Sequence, residues 1–109
     1  MIETTREILN LFEMLRTRPK MMIAAVTIDF LVLKTYIEGY MDGVGVALNL
    51  KIGKSITQWY AKKIGVGTST PWTSLIFYYY KGKNDEELKK ILLDVTEEYF
   101  RENPDWYKM

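Results

Sequence analysis

Apolar residues return every third or fourth position along most of this chain, and capping or breaking residues cut the pattern into helix-length pieces. This spacing follows the 3.6-residue turn of an α-helix. Strand faces, in contrast, alternate every two residues. Thr4-x-x-Glu7 is a capping box and predicts a helix starting near Thr5, with Ile8, Leu11, Phe12 and Leu15 on its inner face. Pro19 ends it, because the residue before a proline avoids helical angles. Thr27 is the expected cap of a second helix, with Asp29 in its first turn and a stripe of Phe30, Leu33, Ile37, Tyr40 and Val44. Glycines weaken its far end, so it should stop or kink between Gly43 and Leu50.

Ser55 is the expected cap of a third helix through Ile56, Trp59, Tyr60 and Ile64, closed by Gly65. Residues 67–70 form a loop. Thr70-Pro71 then reads as an N-cap followed by proline in the first helical position. Trp72, Leu75, Ile76 and Tyr79 have helical spacing, although Ile76 to Tyr80 is also strand-prone and leaves both assignments open. As a helix this stretch is apolar all round, which predicts a central, buried element. Asn84-x-x-Glu87 opens a last helix with Leu88, Ile91, Leu92, Val95 and Tyr99 inward, ended by Asn103-Pro104. The expected fold is a single all-α domain of about five helices over residues 1–109, with 103–109 as a short tail.

The chain has 109 residues, 48% hydrophobic, enough for one core. It has no cysteine, so no disulfide framework can form and stability must come from packing; a cytoplasmic location fits. Met21 to Leu33 is the most apolar run. It contains Asp29 and falls short of the about 20 residues a membrane span needs. The acids Glu3, Glu7 and Glu13 precede it, unlike a secretory leader, so a soluble, untargeted protein is expected.

Histidine is also absent, which removes the usual proton shuttle and, with cysteine, the common soft metal ligands. Ser55, Ser69 and Ser74 have no histidine base and no Gly-x-Ser-x-Gly elbow. No enzyme activity, cofactor or metal is expected; the chain is read as a protein that acts by binding. Glu38 and Asp42 share a helix face, but Lys34 stands four residues before Glu38, so the pair is read as structural or solvated charge. Gly39-x-x-x-Gly43 is read as a point of tight helix packing inside the protein.

Charge is unevenly spread although the net value is only +1. Lys51, Lys54, Lys62, Lys63, Lys81 and Lys83 occur with no acid between Lys51 and Lys83. From Asp85 onward eight acids face four bases. The two segments either neutralise one another in the fold or one of them is a partner surface. Trp59 and Tyr60 beside Lys51, Lys54, Lys62 and Lys63 fit a nucleic-acid footprint and fit a core stripe equally well. Phe77-Tyr78-Tyr79-Tyr80 is read as mostly core, with one or two hydroxyls reaching solvent and a role in self-association left open. On physical grounds the acidic last helix is the strongest partner surface, through Asp94, Glu97 and Glu98, with Trp106 and Tyr107 as anchors.

Phe12-Glu13-Met14-Leu15 followed by Arg18-Pro19-Lys20-Met21-Met22-Ile23-Ala24 resembles the start of a family of small bacterial proteins with an Arg-Pro-Gly-Met-Tyr-Leu/Ile-Gly motif. Glu38-Gly39-Tyr40, Trp72 to Ile76, and Asp85-Glu86-Glu87-Leu88 to Tyr99-Phe100 match later parts of that pattern in the same order. Lys20, Met22 and Ala24 stand where the pattern has glycine, an aromatic residue and glycine. Some members of this family resemble immunity proteins of contact-dependent growth-inhibition and other polymorphic toxin systems. The resemblance implies a cytoplasmic protein that binds a cognate toxin domain, such as a nuclease, and occludes it. The motif itself reads as structural, with Arg18-Pro19 ending a helix and the methionines packing.

Overall fold

The computed structural model describes residues 2–67 and 69–108. Its helices are α1 (Ile2–Thr17), α2 (Pro19–Met22), α3 (Phe30–Leu48), α4 (Ile52–Ile64), α5 (Trp72–Tyr79) and α6 (Asp85–Glu102), followed by a 3-10 turn at Trp106–Lys108. No strand occurs among the described residues, so the fold is all-α. The molecule measures 36 × 33 × 20 Å. With a helix about 10–12 Å across, its thin dimension holds two helix layers.

The core follows the predicted stripe in α1 and departs from it in part in α3 and α6: Met41 is buried where Tyr40 and Val44 were expected, and Leu93, Thr96 and Phe100 are buried while Ile91 and Val95 are only partly so. Ile8, Leu11, Phe12 and Leu15 of α1 meet Leu88, Leu92, Tyr99 and Phe100 of α6, and Phe30, Leu33 and Ile37 of α3 join them. Asn84 caps α6 as expected: its carbonyl oxygen accepts from Glu87 N at 2.8 Å, and its amide donates to the Glu87 carboxylate at 2.8 Å. Gly65 closes α4 in the left-handed conformation (φ 76°), where a side chain would be strained.

Several local expectations change. The Thr4 box does not begin α1, which already runs from Ile2. Thr5 instead lies inside the helix and accepts a hydrogen bond from the chain's far end. Asp29, not Thr27, caps α3, with Oδ1 accepting from Val32 N at 2.9 Å. Ser55 is inside α4, its hydroxyl donating back to Lys51 O. Pro71, not Thr70, holds the N-cap position of α5. Thr68, in the expected loop, and Met109, at the end of the expected tail, lie outside the described residues. Of the motif methionines expected to pack, Met21 is 66% exposed and Met22 is exposed too; Ile23 supplies the buried contact of that segment.

The glycine pair of α3 also departs from its reading. A Cβ on Gly39 or Gly43 would meet nothing within 4 Å. Gly45 is the position of close approach: a Cβ there would stand 2.6 Å from the Leu50 carbonyl oxygen. The chain reverses tightly at this point, with Asn49 left-handed and Leu50 N donating to Gly45 O at 2.8 Å.

Segment 76–80 is helical through Tyr79. Threonines fix the start of this helix. Trp72 N donates to Thr57 Oγ1 at 3.0 Å, and Trp72 Nε1 donates to Thr96 Oγ1 at 2.9 Å, tying α5 to α4 and α6. Thr73 Oγ1 donates to Glu38 Oε2 at 2.8 Å, tying it to α3. Each hydroxyl satisfies a polar group that would otherwise be costly to bury.

Candidate functional site

The acids of α6 are placed by the same amphipathic pattern that buries its other face, but they are not a free surface. Arg16 of α1 reaches across to Asp94 at 2.7 Å and Glu97 at 3.3 Å. Lys90 adds a second contact to Asp94 at 2.7 Å, and Arg101 one to Glu97 at 3.1 Å. Glu98 turns to the other flank, where Lys63 of α4 lies 2.6 Å from it and 2.7 Å from Glu102. Asp94 and Glu97 therefore serve the α1 side, and Glu98 the α4 side. The basic middle and the acidic end partly neutralise one another through Lys63, the first of the two outcomes open in the sequence.

Burial acts to raise the Asp94 carboxyl, but hydrogen bonds from Lys90 and Arg16 overcome it and hold the group below the ordinary carboxylate range. A carboxyl lowered in the folded state contributes stability above its unfolded value of about 3.9, and that contribution is lost as pH falls through the folded value. Arg16→Ala should therefore lower the urea midpoint near neutral pH, and the gap to the parent should narrow in strong acid. A gap that stays constant with pH would place the role of Arg16 in packing instead of charge.

Trp106, expected as a partner anchor, is turned into the core instead. It is 2% exposed, its ring stands edge-on to Phe100 at 5.3 Å, and its Nε1 donates to Thr5 Oγ1 at 2.8 Å. The short tail is part of the core through this residue, one of the largest fully buried side chains of the protein. Tyr107 is half-buried, edge-on to Trp106, with Lys108 over its ring at 5.9 Å.

The basic-aromatic footprint is not assembled either. Tyr60 is buried, and burial, with the Tyr80 phenol beside it, pushes its hydroxyl far above the ordinary tyrosine range. Trp59 donates to Glu102 at 3.3 Å, lies edge-on to Tyr99 at 5.5 Å and is covered by Lys63 at 4.9 Å. Neither ring offers a free stacking face beside Lys51, Lys54 and Lys62. Glu38 pairs with Lys34 at 3.0 Å, as its spacing predicts, and lines a groove of about 690 Å3 together with Asp42, Lys54, Gln58 and Trp72. Among the described residues no group of three or more His, Cys, Asp or Glu side chains is arranged to hold a metal ion.

Among the described residues, α5 presents an exposed aromatic surface. Helix α5 buries Trp72, Thr73 and Ile76 on one side, and Phe77, Tyr78 and Tyr79 are 48%, 67% and 56% exposed. This corrects the expectation of a central helix: an eight-residue helix in a two-layer fold has neighbours on one side alone. Phe77 lies against Phe30 with ring centroids 5.8 Å apart, and Tyr78 stands edge-on to Phe77 at 5.8 Å. With Leu31, 64% exposed, they wall an open groove of about 410 Å3 whose rim carries Asp29 and Asp85. The tetrad Phe77–Tyr80 was the sequence signal for this groove, masked by the assumption that apolar residues at every helical angle must be enclosed. Large exposed rings beside polar rims are the usual chemistry of a protein-binding surface.

No helix among the described residues is long and apolar enough to cross a membrane. No protein family, curated protein or solved structure matches the chain.

Proposed function

We propose that this chain is a bacterial immunity protein that acts in the cytoplasm, without catalysis, by stoichiometric binding to a cognate toxin domain. The exposed Leu31–Phe77–Tyr78 groove is the observation that carries the reading, because rings held on a rigid helix desolvate at little entropic cost when a partner covers them. The motif resemblance around Arg18-Pro19 supplies the immunity context. The α6 acids are already matched by Arg16, Lys63, Lys90 and Arg101, which removes the electrostatic reason to single out a nuclease over other toxin classes.

The test is co-expression of the tagged protein with the C-terminal domain of the toxin encoded immediately upstream. A one-to-one complex and rescue of growth are expected. Phe77→Ala with Tyr78→Ala should weaken that complex by about 30-fold or more, the scale of a hot-spot loss of about 2 kcal/mol. Neutralising α6 with Asp94→Asn, Glu97→Gln and Glu98→Gln should leave affinity within a few-fold. The reverse ranking would move the interface to α6, and absence of both complex and rescue would overturn the immunity reading. A mass that rises with concentration in the free protein, and falls in the ring variant, would assign the same rings to self-association.

A further inference from the structure

We infer that the aromatic groove between α3 and α5 receives an arginine side chain of the protein partner. This rests on the reading of that groove as the partner surface and adds the chemistry of the contact. Its floor and wall are π faces and edges, from Phe77 and Tyr78, next to the apolar Leu31. Its rim holds two carboxylates from separate helices, brought together by the fold. Asp29 Oδ1 caps α3 through Val32 N at 2.9 Å, and Asp85 Oδ1 accepts from Phe30 N at 2.8 Å. Both acids are thus fixed by backbone hydrogen bonds through Oδ1; Asp29 presents its second oxygen to a ligand, and Asp85 Oδ2, 3.7 Å from Lys89 Nζ, adds negative charge to the rim.

The local charge favours a cation. Lys34, also on the groove, is matched by Glu38 at 3.0 Å. Lys89 is shared: it lies 2.9 Å from Glu86 and 3.7 Å from Asp85 Oδ2 and donates to Ile28 O at 2.8 Å, so its one charge is divided between two carboxylates. The positive ends of α3 and α6 amount to about half a charge each, together less than the two carboxylates at those ends. A groove of 410 Å3 is at the small end of ligand sites, which run from about 300 to 1,000 Å3, and suits one long side chain. A guanidinium satisfies both features at once. Its plane stacks on an aromatic ring, and its fork of N–H donors meets carboxylate oxygens, whereas an ammonium provides a point charge alone.

The probe is N-acetyl-arginine amide, titrated into isotope-labelled full-length protein and followed by amide chemical shifts. N-acetyl-citrulline amide, neutral and of the same shape, is the control. Saturable shifts should converge on Leu31, Ser74, Phe77 and Tyr78, with the arginine probe bound about tenfold more tightly than citrulline. Asp29→Asn with Asp85→Asn keeps both backbone hydrogen bonds through the amide oxygens and removes the charge, so it should abolish that preference. Should the double variant unfold, Asp29→Asn alone, again with an amide cap, should at least halve it. Equal binding of arginine and citrulline would reduce the groove to an apolar contact and overturn the inference. So would shifts centred elsewhere, or an arginine preference that survives loss of the carboxylates. No toxin enters this titration, so its failure leaves the immunity reading to its own co-purification test.

Discussion

Trp106→Ala should cost about 3–5 kcal/mol of folding stability, the scale of emptying a fully buried aromatic site. A domain of this kind holds about 5–15 kcal/mol in total, so the variant should sit near the edge of folding. The reason lies in what the indole closes. Its ring meets Phe100 on α6, and its N–H reaches Thr5 on α1 across 101 positions of sequence. Removing it opens a cavity at the seam between the first and last helices and strands no large polar group, so the loss is chiefly of packing. Trp106→Phe keeps much of the apolar contact and removes the hydrogen bond, and should cost about 1–2 kcal/mol. Urea titration with the helical signal as readout measures both. A loss below about 1 kcal/mol for the alanine variant would show that the tail is only loosely docked.

The second large effect is a reversal of sign within one helix. Gly45→Ala should destabilise by about 1–3 kcal/mol, as overpacking does, because its Cβ would collide with a backbone oxygen. That oxygen belongs to Leu50, whose own N–H is bonded to Gly45 O, so neither side can move without opening the turn between α3 and α4. Gly39→Ala and Gly43→Ala should each stabilise by about 0.5–1 kcal/mol, because alanine loses less backbone freedom in a helix and the added methyl meets open space. The same denaturation experiment ranks all three. Three changes of one sign would contradict the geometry of the turn.

Local rules made much of the fold legible. The inner face of α1, the Leu88–Leu92–Tyr99 line of α6, the stop before Pro19, the Asn84 cap and the Gly65 close all follow from spacing or from the conformational needs of single residues. Cap positions were less legible where Thr, Asp and Ser crowd together: Thr27 and Asp29 are equivalent on paper, and the turn geometry chose Asp29. The Gly39–Gly43 spacing is a real motif in the wrong environment, since close approach depends on what lies opposite, and nothing lies opposite these two.

For the candidate site the division is sharper. Spacing and capping residues specified a helical chain, and composition specified one with no histidine or thiol chemistry and enough apolar surface for one core. Which charged and aromatic groups face solvent was decided by tertiary contacts. Arg16, 78 positions before Asp94, turns an acidic patch into an ion-pair cluster, and Thr5 draws Trp106 out of the tail. The short, one-sided seat of α5 leaves Phe77 and Tyr78 outside, and Asp29 meets Asp85 at their rim although 56 positions separate them. Helical periodicity is a property of neighbours in sequence and can be read there. Exposure and charge matching depend on partners distant in sequence, and only the assembled fold supplies those.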